Sequence, residues 1–126
     1  VGDFNRDSYI DIVAANCLNN TISIFFGHGN GTFQSATNYY VGACSPQIAV
    51  SDMDGDTYLD IIIIATSNAF MSVYHGYGNG TFRAPLSFQT DFDPAALLVH
   101  DFNHDGRMDV AVALFRGAVN VFLNTC

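Results

Sequence analysis

Apolar residues come in short runs in this chain, never at helical spacing. In its middle third, residues 47–50, 59–65 and 71–74 and a weaker segment around Phe88 are β-branched or aromatic, bounded by Gly, Asn, Ser and Pro. This pattern predicts four short strands. The run Asp60-Ile61-Ile62-Ile63-Ile64 does not alternate with polar residues, so both faces of that strand are expected to lie under other sheets. Gly-His-Gly-Asn-Gly-Thr-Phe at 27–33 and Gly-Tyr-Gly-Asn-Gly-Thr-Phe at 76–82 read as hairpin loops in which Gly and Asn supply positive φ. The apolar runs, 61–65 among them, are far too short to cross a bilayer.

The pattern recurs. At a shift of 49 residues the sequence aligns with itself without a gap: Asp3, Asp52 and Asp101 fall in register, as do Asp7, Asp56 and Asp105, then Asp11, Asp60 and Asp109. Four antiparallel strands in a 49-residue repeat predict the blade of a β-propeller, because a helical solenoid of that period would need an amphipathic segment that is not there. The expected fold is therefore all-β, a single repeat domain of about 2.6 units at 1–49, 50–98 and 99–126. Propellers typically hold four to eight blades, so an incomplete propeller or fragment is expected, beginning in mid-repeat. No charged amino-terminal segment leads into an apolar core, and no signal peptide is expected within it.

Charge sharpens the picture. The net charge is −8, all acid is Asp, and ten of the twelve Asp sit in the three windows 3–11, 52–60 and 101–109. A solvated surface would mix Glu, Lys and Arg, so acid concentrated this way reads as ligand supply. Four Arg without a cluster leave no footprint for nucleic acid or an anionic membrane.

Each window places side-chain oxygens at positions 1, 3, 5 and 9. They are Asp3, Asn5, Asp7 and Asp11, then Asp52, Asp54, Asp56 and Asp60, then Asp101, Asn103, Asp105 and Asp109. The carbonyls of Tyr9, Tyr58 and Arg107 stand at position 7. Six to eight hard oxygen donors suit Ca²⁺, whereas Mg²⁺ demands stricter octahedral geometry and Zn²⁺ prefers imidazole and thiolate. The competing reading is a set of Asx turns between strands. One such loop would leave that choice open; three in register favour three Ca²⁺ sites.

Acidic loop, apolar strand and Gly-Asn-Gly-Thr-Phe stretch together resemble the FG-GAP/VCBS repeats, the blades of integrin α-subunit propellers and of many secreted proteins. The resemblance spans the chain and implies a Ca²⁺ in the loop joining the first two strands of each blade. Ser8 and Thr57 depart from the family's Gly at position 6, which Gly106 keeps. If that position needs positive φ, the first two sites should bind more weakly.

Asn19, Asn30 and Asn79 each open a glycosylation sequon, although Asn-Gly is also a preferred turn. Cys17 and Cys44 fall where a disulfide would join adjacent blades on the side away from the acidic loops. Cys126 is left without a partner in the chain. Sequons, bridge and Ca²⁺ together point to an extracellular protein. The four His are expected at the surface.

No nucleophile or phosphate-loop motif appears, and only Asp91 and Asp93 are spare acids, so an enzyme is not expected. The leading expectation is a glycosylated structural or adhesive scaffold with an unidentified protein or glycan ligand, able to self-associate through open blade edges. A propeller lectin using Tyr39, Tyr40, Tyr74 or Tyr77 is the alternative, and an accessory domain of a secreted enzyme comes third.

Overall fold

The structure, a computed structural model, describes residues 1–42, 47–67 and 69–125. Ten strands and no helix occur among the described residues. They form three antiparallel sheets. The first holds β1 (Ile12–Asn16), β2 (Thr21–Phe25) and β3 (Thr37–Tyr40). The second is complete, with β4 (Gln47–Ser51), β5 (Asp60–Ala65), β6 (Phe70–Tyr74) and β7 (Leu86–Gln89) in that spatial order. The third holds β8 (Pro94–His100), β9 (Asp109–Leu114) and β10 (Val119–Phe122). The sheets are stacked blades of an open propeller-like arc and close no barrel.

The isoleucine run of β5 explains the stacking. Every residue of β5 is buried, and because side chains alternate across a strand the run serves two cores. Ile61 and Ile63 pack with Phe4, Ile22, Ile24 and Tyr74 against the first sheet. Ile62 and Ile64 pack with Met71, Val73, Val110, Val112 and Leu114 against the third. A strand covered on one side only would have had to alternate.

One feature of the repeat differs from the gapless 49-residue alignment. In the second sheet Ile64 pairs with Met71 and Ile61 with Tyr74. In the third, Ala113 pairs with Val119 and Val110 with Phe122, so the turn between β9 and β10 is one residue shorter and the offset from Val119 onward is 48. Phe122 therefore takes the place of Tyr74, and Asn124 that of Gly76.

The glycine-rich hairpins form as expected, with His28 N–H donating to the Thr32 carbonyl and Tyr77 N–H to that of Thr81, each at 3.0 Å. The division of labour differs. Positive φ falls on Gly29, Gly31, Gly78 and Gly80 and not on the asparagines. The Oδ1 of Asn30 instead accepts from the N–H and hydroxyl of Thr32, and Asn79 does the same for Thr81. The second hairpin also seals a junction between blades. Gly80 N–H donates to the Phe4 carbonyl at 2.9 Å, Tyr39 hydroxyl donates to the Gly80 carbonyl, and Phe82 meets Phe4 and Tyr39 edge to face. A side chain at Gly80 would strike the Phe26 ring. Between the second and third sheets lies a cavity of about 530 Å³, lined by Met53, His75, Phe88 and Phe122 among others.

Asn19, Asn30 and Asn79 are all exposed. Cys17 is exposed and partnered; Cys44 and Cys126 lie outside the described residues.

Candidate functional site

The acidic loops occupy equivalent places. Loops 52–60 and 101–109 connect β4 to β5 and β8 to β9. Loop 3–11 leads into β1 through a bridge between Gly2 and Asp11, the counterpart of the Ser51 pairing with Asp60. All three loops fold by one internal scheme. The position 1 carboxylate accepts N–H bonds from the far side of its loop, as Asp3 does from Asp7 and Ser8, Asp52 from Gly55 and Thr57, and Asp101 from Asp105 and Gly106. The position 5 carboxylate accepts the N–H of position 7 in each case, at 2.8–2.9 Å.

Two residues per loop are left-handed. Position 6 has φ of 70° at Ser8, 71° at Thr57 and 87° at Gly106, as the departures from Gly implied. Position 4 is left-handed too, at Arg6, Gly55 and His104. The signal for it was Gly55 alone. Threonine at φ 71° is strained because its branched β-carbon crowds the backbone. Thr57→Gly is accordingly expected to stabilise the chain by about 1 kcal/mol, net of the entropy glycine adds to the unfolded state. Thermal denaturation reads this as a rise of a few degrees, and an unchanged or lower midpoint would mean the strain is absent.

The sequence-named donors divide into two groups. Positions 1, 3 and 5 face outward. In the second loop, carboxylate oxygens of Asp52, Asp54 and Asp56 all lie within 4.8 Å of one another, a spacing at which one cation can reach all three. Asn5 and Asn103 replace one carboxylate in the outer loops, and each sends its amide to the position 5 carboxylate, Asp7 or Asp105.

Position 9 behaves otherwise. Asp11, Asp60 and Asp109 are fully buried. One oxygen of each accepts the N–H of position 2, from Phe4, Met53 or Phe102 at 2.8–2.9 Å. The other reaches across the blade to the N–H of Gly27, Gly76 or Asn124, also at 2.8–2.9 Å. Each carboxylate thus clamps the loop to the hairpin after the next strand. Glycine serves at 27 and 76 because a β-carbon there would run into the carbonyl of Ile10 or Leu59. Asn124 keeps a side chain at this place and turns its amide onto the equivalent Met108 carbonyl.

The second loop carries two groups that sequence reasoning missed. His75 is not a free surface residue: its Nδ1 lies 3.1 Å from Asp60 Oδ2 and 3.5 Å from Asp54 Oδ2. The signal available was its position, next to the Gly76 that binds Asp60. Arg83 approaches Asp54 at 3.5 Å and Asp56 at 3.9 Å while lying over the Tyr77 ring, a partly exposed arrangement of little net stability. Burial pushes the Asp60 carboxyl above the ordinary aspartate range, and Asp54 adds to this; the donors at Gly76 and Met53 and the nearby His75 pull the other way. At Asp101 desolvation acts upward, but the N–H groups of Gly106, Asp105 and His104, with the His104 ring, outweigh it and hold the carboxyl below that range.

The oxygen-only donor set, its exposure and its spacing fit a hard divalent cation. Asp54, Asp60 and His75 also come within 4.8 Å of one another, but Asp60 is fully buried with each oxygen holding a backbone N–H, and an imidazole suits a hard cation less than oxygen does, so this is a poorer cradle.

The four tyrosines named as sugar-stacking candidates do not converge. Tyr74 is buried and Tyr39 half-buried, with burial pushing both hydroxyls up from their ordinary range. Tyr40 is exposed on β3 and Tyr77 lies under Arg83.

Comparison with curated proteins found no significant match. The family profile of FG-GAP-like repeats matches twice, at residues 3–63 and 52–112, each match running from position 1 of one acidic loop into the strand that directly follows the next loop. Spaced as the loops are and covering most of the sequence, the two matches show that the chain belongs to the FG-GAP-like repeat family.

Proposed function

We propose that the chain is a non-catalytic extracellular scaffold in which Ca²⁺ fills the three acidic loops, held by Asp3, Asn5 and Asp7, by Asp52, Asp54 and Asp56, and by Asp101, Asn103 and Asp105. The carbonyls at Tyr9, Tyr58 and Arg107 are added backbone donors, and the position 9 aspartates stand behind each site. The convergence of the Asp52, Asp54 and Asp56 carboxylates within 4.8 Å carries this reading, because three like charges so close favour a cation between them. The spare acids support a non-catalytic role: Asp91 is held by Asn120 and Asp93 by Arg116. Exposed sequons fit an oxidising exterior, as would the bridge between Cys17 and Cys44 that we propose with it, and the open strand edges offer further attachment.

A cation that binds only the folded form stabilises it by about 1.4 kcal/mol per site at tenfold excess over its dissociation constant. Millimolar Ca²⁺ is therefore expected to raise the melting temperature by several degrees, chelator to reverse the rise, and Mg²⁺ at the same concentration to give less. A midpoint indifferent to Ca²⁺ refutes the reading.

The cavity between the second and third sheets favours carbohydrate binding as a second reading, since aromatic Phe88 and Phe122 there adjoin polar Asp54, His75 and Asn124. A glycan array read with and without Ca²⁺ decides it, and a blank array discards it.

A further inference from the structure

Loop 52–60 differs from its two neighbours in charge and in how that charge is met. Position 3 is asparagine in the outer loops and aspartate here, so this loop carries four carboxylates where each of the others carries three. In the outer loops the position 3 amide donates to one oxygen of position 5, Asn5 to Asp7 Oδ2 at 2.9 Å and Asn103 to Asp105 Oδ2 at 3.0 Å. Asp54 has no amide to give. Within loop 52–60, backbone N–H groups reach both oxygens of Asp52 but only Oδ1 of Asp54 and of Asp56. The two oxygens left over are the ones that face Arg83, whose Nη1 lies 3.5 Å from Asp54 Oδ2 and whose Nη2 lies 3.9 Å from Asp56 Oδ2. His75 also flanks Asp54 Oδ2, at 3.5 Å, but its nearer contact is to Asp60. One guanidinium fork thus spans two carboxylates, in the place where the other loops keep an amide.

The arginine is held there from behind. Its N–H closes the glycine-rich hairpin on the His75 carbonyl at 2.8 Å, and its guanidinium carbon lies 5.4 Å from the centre of the Tyr77 ring. Gln34 has the equivalent place in the first sheet and closes its own hairpin on the Phe26 carbonyl at the same distance. It brings no charge to a loop that already has an asparagine. A positive side chain is therefore supplied beside the loop that has the additional carboxylate.

We propose that Arg83 is a tethered counter-ion of loop 52–60, competing with the divalent cation for Asp54 and Asp56 and so setting the affinity of that one site. This rests on the cation reading of the loops. When the loop takes up an ion, the guanidinium gives up Asp54 Oδ2 and Asp56 Oδ2 and stays over Tyr77. A fourth carboxylate by itself would make this loop the tightest of the three. Arg83 takes back part of that advantage, and it does so most at low ionic strength, because a half-exposed ion pair is screened by salt.

A Ca²⁺ titration of the isotope-labelled chain, followed at the amides of Thr57 and Tyr58 with those of Ser8 and Gly106 as references for the other loops, tests this. Arg83→Gln should tighten loop 52–60 by roughly three- to tenfold at low salt and leave the other two loops as they were. Most of that gain should vanish in about 1 M salt. Arg83→Lys keeps the charge without the fork and should stay closer to the parent chain than to Arg83→Gln. A side chain that served packing alone would show neither the salt dependence nor the restriction to one loop. If the outer loops titrate and Arg83→Gln leaves loop 52–60 unchanged or weaker, the proposal is overturned while the cation reading stands. If no loop amide responds in either protein, the cation reading itself falls and the proposal with it.

Discussion

Asp60→Ala is expected to destabilise the chain by about 3–5 kcal/mol, in Ca²⁺ and in chelator alike. The substitution leaves the N–H groups of Met53 and Gly76 without their acceptor at a site that is fully buried. Each orphaned donor costs about 1–3 kcal/mol because water cannot replace the lost partner. His75 loses the nearer of its two carboxylate neighbours as well. Asp52→Ala provides the contrast. Its oxygens also accept two N–H bonds, from Gly55 and Thr57, but in the exposed part of the loop, where solvent takes over and the loss in chelator should stay below about 1 kcal/mol. The Asp52 variant should therefore lose mainly the increment that Ca²⁺ adds, and the Asp60 variant should lose the fold's clamp. Urea denaturation of both, with and without Ca²⁺, separates the roles. If the two variants lose equal stability, and only when Ca²⁺ is present, position 9 is a ligand and not a clamp.

That division of the aspartates was not legible in the sequence. Spacing alone gave Asp52, Asp54, Asp56 and Asp60 the same status, since nothing in a linear pattern says which carboxylate points inward. The partner that buries Asp60 is a backbone N–H sixteen residues away, and backbone donors leave no mark in composition. The strands were legible, because β5 had to be apolar on both faces to lie between two sheets, and the segment around Phe88 was recognisable although β7 is exposed throughout. The shortened turn before β10 was not, for Phe115, Arg116, Gly117 and Ala118 make as plausible a turn at one length as at another. Its consequence is the replacement of Gly76 by Asn124, which a gapless alignment sets opposite His75. His75 escaped for a related reason: histidine at a strand end is usually solvated, and only the folded loop brings Asp54 and Asp60 to it.

Ile62→Ala and Ile63→Ala should each cost about 2–5 kcal/mol, the range for deleting a fully buried isoleucine side chain to its β-carbon. Both residues are buried, at 0% and 2% exposure, and they are chain neighbours, yet they should loosen different parts of the molecule. Ile62 belongs to the core shared with Val110 and Val112, and Ile63 to the core shared with Ile22 and Ile24. In a stack where each unit touches only its neighbours, stability is close to a sum of unit and junction terms. A cavity at one junction then releases the sheet beyond it before the rest unfolds. Amide exchange in Ile62→Ala should accelerate in β9 and β10 while β2 keeps its protection; in Ile63→Ala it should accelerate in β1 and β2 while β9 keeps its own. If both variants speed exchange evenly through all three sheets, the blades melt as one unit and the two-sided core of β5 is not divisible in this way.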